Sequence, residues 1–133
     1  MPTDIQKDLV NEYIDKVWNR GDLVALDELT SPAFTYRLGD QPPRDRDAMK
    51  QFLTITRSAF PDWRVEIADI IIEHETAAVR WFGTATHQGA FHGILPTGRQ
   101  VRVSGINMYR ITGGKIVEEW EQTDSLSLLR QLE

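Results

Sequence analysis

The sequence predicts an α+β fold: a cone-like α+β barrel in which a curved antiparallel sheet wraps on N-terminal helices. Two observations support this prediction. Apolar residues recur at helical spacing up to Phe60, and after Pro61 the hydrophobic period changes to the alternation of strands. A sheet that curves around helices leaves a cone-shaped cavity. No internal repeat, low-complexity tract or linker divides the chain, so we expect residues 1–133 to form a single domain.

Three helices are predicted in the first half of the chain. An apolar face that runs from Ile5 to Trp18 predicts the first helix, and Gly21 ends it. Asp22 is the cap of a short second helix whose leucines point inward. The third helix covers residues 45–60, where apolar residues again recur on one side before a proline.

Five segments have the alternation of strands. They span residues 34–38, 63–72, 77–87, 101–111 and 116–124. The last two are joined by a turn that contains Gly113 and Gly114, which predicts a hairpin. A short leucine-rich tail follows at residues 126–132.

Composition and charge exclude several classes of protein. The net charge of −5 argues against a nucleic-acid binder, which needs a basic face. The chain has no cysteine, its three histidines lack the spacing of metal ligands, and it has no glycine-rich nucleotide motif. We therefore expect no metal and no cofactor. No apolar run is as long as a membrane span, and the N-terminus lacks a signal-peptide pattern, so we expect a cytoplasmic protein with no membrane partner.

The predicted hairpin carries the main chemical clue. One face of its first strand is mostly apolar and includes a lone amide: Val101, Val103, Asn107, Tyr109 and Ile111. Pairing Ile111 with Ile116 would turn Trp120 inward, whereas one extra residue would turn Glu119 and Glu121 inward. The alternation alone leaves both registers open. It also allows Glu118, Glu119 and Glu121 to lie on the outer face, exposed to solvent.

Three side chains are candidates for catalysis. An inward Glu121 would lie among apolar walls that raise its pKa towards the range useful for acid–base work. His87 shares its strand parity with Trp81 and can transfer protons near neutral pH, although a single histidine is also common as a structural residue. Asp124 follows the last strand, where it either caps the tail or contributes to a pocket.

Aromatic side chains occur in every predicted element, and most belong to the core. Some would line a cavity for a small hydrophobic molecule, with hydroxyl and amide groups available to hold an oxygen. The candidates for this binding role are Trp18, Tyr36, Trp81, Phe91, Asn107, Tyr109 and Trp120.

Several motifs together resemble the SnoaL-like polyketide cyclase (ester cyclase) family of the nuclear-transport-factor-like superfamily. They comprise residues 87–99, the Tyr-Arg-Ile and Gly-Lys-Ile-Val-Glu segments around the hairpin turn, Trp120 with Asp124, Leu-Arg-Gln-Leu at 129–132 and Trp-Asn-Arg-Gly-Asp at 18–22. The resemblance covers nearly the whole chain and implies the cone-like α+β barrel. Relatives include ketosteroid isomerase and scytalone dehydratase, so one fold carries several reactions.

The resemblance also implies roles for particular residues. The catalytic aspartate of the family's cyclases corresponds to Glu121, and a pocket histidine corresponds to Asn107. His87 matches a Thr-His-x-Gly motif of the wider ester cyclase group. The implied function is a cofactor-independent aldol cyclase, isomerase or dehydratase that acts on a small hydrophobic carbonyl or polyketide-like compound. The alternatives are a non-catalytic binding protein and an epoxide hydrolase or hydroxylase of the same fold. Homodimers are common in this group, so a homodimer is expected.

Overall fold

Helices and one sheet build the fold of the computed structural model, which describes residues 2–133. The order of elements is α1 (Pro2–Tyr13), a π-helical segment (Ile14–Asn19), α2 (Leu23–Leu29), β1 (Thr30–Leu38), α3 (Arg46–Ala59), β2 (Arg64–Glu73), β3 (Thr76–Thr86), β4 (Gln100–Thr112), β5 (Lys115–Thr123) and α4 (Ser125–Gln131). The predicted α+β class is confirmed. Within the described residues, no helix is both long enough and apolar enough to cross a membrane.

Side-chain caps begin two of the helices where the sequence predicts them. The Asp22 carboxylate accepts a hydrogen bond from the Ala25 N–H at 3.1 Å, and Asp45 does the same for Ala48 at 2.9 Å. Each cap satisfies an N–H group that lacks a partner within the helix. The position of these caps sets where α2 and α3 start against the sheet.

The five strands form a sheet in the order β1-β5-β4-β3-β2. Three of the pairings are antiparallel, but β1 runs parallel to β5, so the sheet is mixed and the expectation of a wholly antiparallel sheet is wrong at this edge. The connection from β1 to β5 contains α3 and three strands, which is long enough for the crossover that a parallel pair requires. β1 also begins at Thr30, earlier than the alternation of residues 34–38 indicates.

The core lies between the helices and the inner face of the sheet. Alternate residues of β3 and β4 are buried there, among them Ala77, Val79 and Trp81 of β3. A second, smaller cluster forms where the C-terminal end of α3 meets Val101 and Leu132. The main cluster contains most of the buried aromatic residues and surrounds the candidate site.

Candidate functional site

The register of the last hairpin turns two carboxylates inward. Gly113 and Gly114 both have positive φ, at 61° and 75°, which is the backbone of a two-residue turn between twisted strands. Ile111 pairs with Ile116, but the next pair is Arg110 with Glu118, so one residue of β5 is bulged out.

The bulge changes which side chains of β5 face the core. It places Glu119 opposite Tyr109 and Glu121 opposite Asn107, on the inner face. Trp120 lies opposite Met108 and turns to the outer face, where the Arg110 guanidinium lies 5.8 Å from its ring centre. The prediction that Trp120 lines the cavity is therefore wrong, because the bulge reverses the alternation after Ile116.

Glu119 is completely buried, and both of its oxygens accept hydrogen bonds. The Tyr13 hydroxyl donates to Oε1 at 2.6 Å. The Tyr109 hydroxyl (2.9 Å), the Trp18 indole N–H (3.0 Å) and the Asn107 amide (3.0 Å) all donate to Oε2. Burial raises the pKa of Glu119 to about 7, since loss of hydration disfavours the charged carboxylate more than these donors favour it.

The π-helical segment lets one helix supply two of these donors. Tyr13 and Trp18 are five residues apart, which in an α-helix would point them about 140° away from each other. Between Ile14 and Asn19 the wider i→i+5 turn brings residues five apart towards the same side. Both side chains can therefore reach Glu119, although they donate to different oxygens.

A hydrogen bond from Trp81 fixes the orientation of the Asn107 side-chain amide. The Trp81 indole N–H lies 2.9 Å from Asn107 Oδ1 and can only donate, so this atom has to be the amide oxygen. The amide nitrogen therefore faces Glu119. A chain of hydrogen bonds thus runs from Trp81 through Asn107 to the buried carboxylate.

Glu121 is buried as well, with 9% of its surface exposed, and is less constrained. Its Oε1 accepts a 2.8 Å hydrogen bond from the Tyr36 hydroxyl, and its Oε2 accepts one from the Thr123 hydroxyl. Burial raises its pKa, while these hydroxyl groups and the charge of Arg44 oppose that rise. Each oxygen has one bonded neighbour in the network and can accept another hydrogen bond.

Glu121 faces a small interior cavity of about 20 Å³. The lining residues are Ile14, Trp18, Trp63, Val65, Trp81, Asn107, Tyr109 and Glu121. A volume of roughly 10–15 Å³ is enough for one water molecule, so the interior of the cone is nearly filled by its own aromatic side chains. The space that remains between the helices and the sheet is thus small.

Two glycines make room for the tryptophan rings at this cavity. A Cβ at Gly83 would lie 2.2 Å from Cη2 of Trp63, and a Cβ at Gly105 would lie 2.4 Å from Cζ2 of Trp81. Neither distance is possible for real atoms, so the rings can rest on the sheet only because both positions lack a side chain. The two rings meet edge to face with their centres 6.1 Å apart.

The structure brings together most of the predicted site residues but leaves two of the three catalytic candidates elsewhere. Glu121, Asn107, Tyr36, Trp18, Trp81 and Tyr109 lie at the cavity or contact its carboxylates. His87 is buried in the smaller cluster, where its Nδ1 accepts a hydrogen bond from the Thr97 N–H at 3.2 Å. Phe91 packs there as well, 5.1 Å from the Phe60 ring.

Asp124 is exposed and caps α4 by accepting a hydrogen bond from the Ser127 N–H at 3.1 Å. Asp124 and His87 make no contact with each other, because each side chain has these other partners. Capping, one of the two readings that the sequence leaves open for Asp124, is the one observed.

Sequence reasoning did not select Glu119, Tyr13 or Trp63 as site residues. Glu119 had a usable signal, since a bulge that turns Glu121 inward turns Glu119 inward too. Tyr13 and Trp63 occupy positions that periodicity assigns to the core, and hydrophobic pattern carries no information on where their polar atoms point. The described residues include no group of three or more His, Asp or Glu side chains placed to hold a metal ion.

Comparison with known proteins places this arrangement among related folds. The sequence model of a family described as SnoaL-like polyketide cyclase matches residues 8–132. AclR from Streptomyces galilaeus, a proposed hydroxylase, is 33% identical with a TM-score of 0.85, and the match covers 95% of this chain and 93% of AclR.

Two further solved structures are named as proposed polyketide cyclases. IdmH from Streptomyces antibioticus is 32% identical with a TM-score of 0.83, over 95% of this chain and 96% of IdmH. A protein from Acidithiobacillus ferrooxidans is 27% identical with a TM-score of 0.87, over 96% of this chain and 94% of its own. No curated protein matches the sequence at a significant level.

Proposed function

Because the chain belongs to the SnoaL-like polyketide cyclase family, we propose that it catalyses proton transfer at the carbon next to a carbonyl group. The substrate is a small hydrophobic carbonyl or polyketide-like compound, Glu121 is the acid/base, and no cofactor takes part. The reaction class is aldol cyclisation, isomerisation or dehydration, each of which needs one positioned base and one donor for the developing oxyanion.

The observation that carries this proposal is the setting of Glu121. Its carboxyl group lines an apolar cavity, is held by the Tyr36 hydroxyl, and has a pKa raised by burial. A raised pKa makes the carboxylate a stronger base towards a weakly acidic C–H group. Glu119 is less suited to this step, because its Oε2 already accepts three hydrogen bonds.

For a cyclisation, the steps balance with this one group. Glu121 takes the proton from the α-carbon, and the electron pair of the C–H bond forms the enolate. The enolate carbon then attacks a second carbonyl of the same molecule, and Glu121 returns its proton to the alkoxide that this attack creates. The carboxyl group ends in its starting state, so no external oxidant or reductant is needed.

Hydrogen–deuterium exchange tests the proposal without knowledge of the natural substrate. The protein is incubated in D₂O with 1-tetralone, a ligand larger than the cavity of about 20 Å³ that can bind only if the surrounding aromatic rings move apart, and deuterium uptake at the α-carbon is followed by NMR. We expect catalysed exchange that falls by about two to four orders of magnitude in Glu121→Gln, the usual contribution of a general base. Glu118→Gln, on the outer side of the same strand, is the matched control and should exchange normally.

Two outcomes would contradict the proposal. Exchange that persists at the wild-type rate in Glu121→Gln would remove Glu121 from the reaction. If 1-tetralone binds to the wild-type protein without any exchange, the result would favour the non-catalytic binding protein. In that case Glu121→Gln should alter affinity alone.

A further inference from the structure

We propose that Trp63 and Leu128 form a gate over the cavity at Glu121, and that this gate opens when helix α4 lifts away from strand β4. The inference rests on the proposed function only in treating this cavity as the substrate site. It names the part of the molecule that has to move when a ligand enters, and the side chain that holds that part in place.

The cavity is too small for a substrate in the observed conformation. Its volume of about 20 Å³ is enough for about one water molecule, and its wall consists largely of aromatic rings. A compound with a carbonyl group and several carbon atoms therefore reaches Glu121 only after part of the wall has moved. Conformational steps of this kind are common in enzymes that enclose their substrates.

Trp63 is the part of the wall that is least tied to its neighbours. Among the described residues that line the cavity it alone is half-buried, so its ring separates the cavity from the surface. The indole N–H groups of Trp18 and Trp81 both donate hydrogen bonds to side chains of the buried network. The indole N–H of Trp63 has no acceptor among the described residues. Packing alone therefore holds the Trp63 ring in place.

Leu128 of α4 lies at the same junction in the fold. Trp63 and Leu128 are, among the described residues, the two half-buried apolar side chains that pack against both hydrophobic clusters. Both therefore lie where the two clusters meet. Because protein interiors are closely packed, the Trp63 ring can turn away from the cavity only when space is vacated at this junction. Withdrawal of Leu128 would provide that space.

Helix α4 is weakly attached to the rest of the fold. Within the described residues Ser125–Gln131 no side chain is completely buried, and Leu126 is 60% exposed. The apolar anchors of the helix are the half-buried Leu128 and the buried Leu132 just beyond its end. Elements with few buried apolar contacts open locally at a lower free energy than the core. We therefore expect α4 to lift without unfolding of the sheet.

Gln131 is the latch that holds α4 against β4. The pairing of β4 with β5 ends at Gly105, and beyond that point the Gln131 side chain takes the place of a neighbouring strand. Its Oε1 accepts a 2.9 Å hydrogen bond from the Arg102 N–H, and its Nε2 donates to the Arg102 carbonyl oxygen at 2.8 Å. Both bonds lie at the surface, where water can replace them, so the latch can break and re-form at low cost.

A thiol placed in the cavity wall would measure the opening. The chain has no cysteine, so Val65→Cys introduces a single thiol into the wall, and Val79→Cys introduces one at a buried position away from it. The rate at which DTNB, an aromatic disulfide, modifies each thiol is followed at increasing urea concentrations. We expect Val65→Cys to react in the native protein at a rate that changes little at low urea. Val79→Cys should react only through global unfolding, with a steep dependence on urea.

The variant Gln131→Ala removes the latch. It should speed the reaction of Val65→Cys at low urea by about tenfold, since one to two neutral hydrogen bonds are lost from the closed state. Gln122→Ala changes an exposed glutamine of β5 and is the matched control, which should leave the rate unchanged. If Gln131→Ala also leaves the rate of Val65→Cys unchanged, the cavity opens without release of α4 and the inference is overturned. A urea dependence of Val65→Cys as steep as that of Val79→Cys would overturn it too.

Two neighbouring leucines of α4 give a second test. Leu128→Ala shortens the gate itself and should speed modification of Val65→Cys by roughly fivefold or more, because the packing against both clusters is lost. Leu129→Ala shortens a more exposed side chain of the same helix and should change the rate by less than about twofold. Equal effects of the two substitutions would refute the role of Leu128 in the gate.

The gate and the proposed catalysis fail in different ways, because the thiol experiment contains no substrate. Modification of Val65→Cys that depends on Gln131, in a protein that exchanges no α-protons, would support the gate and refute the catalysis. Exchange that depends on Glu121, in a protein whose Val65→Cys thiol reacts only on global unfolding, would support the catalysis and refute the gate.

Discussion

Glu119 should make the protein less stable as the pH rises from 5 to 8. Its carboxyl group is completely buried, and its pKa is raised to about 7 from an ordinary 4.5. The folded protein therefore binds a proton that the unfolded chain has already released in this range. Such a group contributes stability that is fully present below pH 4.5 and is lost as the pH rises through 7.

The size of the effect follows from the difference between the two pKa values. One pKa unit corresponds to roughly 1.4 kcal/mol, so a carboxyl group raised to about 7 loses about 3 kcal/mol over the whole titration. Most of that loss falls between pH 5 and 8. For a chain of this length it corresponds to a fall in melting temperature of roughly 10 °C. Burial also raises the pKa of Glu121, which adds a change of the same sign.

The variant Glu119→Gln isolates this contribution. A glutamine fits the site, because its amide oxygen can take the place of Oε2, where three donors converge, and its NH₂ group can donate to the Tyr13 oxygen. The variant has no charge to desolvate, so its stability relative to the wild type should increase by about 2 to 3 kcal/mol from pH 5 to pH 8.

Urea unfolding followed by tryptophan fluorescence at several pH values would measure this difference. Glu118→Gln is the control for loss of a carboxylate on the same strand, and its curve should run parallel to that of the wild type. If the wild type and Glu119→Gln change in parallel with pH, the carboxyl group titrates alike in the folded and unfolded states, and the reasoning is refuted.

Three further predictions concern neighbouring residues. Tyr36→Phe removes a hydrogen bond that lowers the pKa of Glu121, so the pH profile of α-proton exchange should move to higher pH, and an unmoved profile would contradict this contact. Gly83→Ala should destabilise the fold by about 1–3 kcal/mol in urea unfolding, because the new methyl group overlaps the Trp63 ring, and wild-type stability would show that the ring yields freely. Asp124→Ala should cost about 1 kcal/mol through loss of the α4 cap and leave exchange unchanged; slower exchange would return Asp124 to the site.

The helices and strands could be predicted from local sequence pattern. Apolar residues at helical spacing located α1 and α3, and Asp22 and Asp45 marked helix starts to within a residue. These features depend on neighbours along the chain, which a sequence displays directly. Departures arise where a distant element decides the structure: the parallel pairing of β1 with β5 joins segments about eighty residues apart.

Only part of the candidate site could be predicted from the sequence. The sequence pointed to Glu121, Asn107, Tyr36 and several of the tryptophans, and these do lie around one cavity. It also pointed to His87 and Asp124, which belong to a separate apolar cluster and a helix cap. Residue type indicates what chemistry a side chain can perform, whereas its partners depend on how the sheet curves and where the helices rest.

What the sequence determined by itself is the class of fold and the supply of acid–base groups, because hydrophobic period and residue type are local properties. The tertiary structure decided which of those groups meet. A single bulged residue after Ile116 turns Glu119 and Glu121 into the core and Trp120 out of it, since each step along a strand reverses the side chain. The wider helical turn at Ile14–Asn19 then directs Tyr13 and Trp18 onto Glu119. Both features decide which side chains share a face, and the apolar pattern of the sequence is compatible with either arrangement until the helices and the sheet pack together.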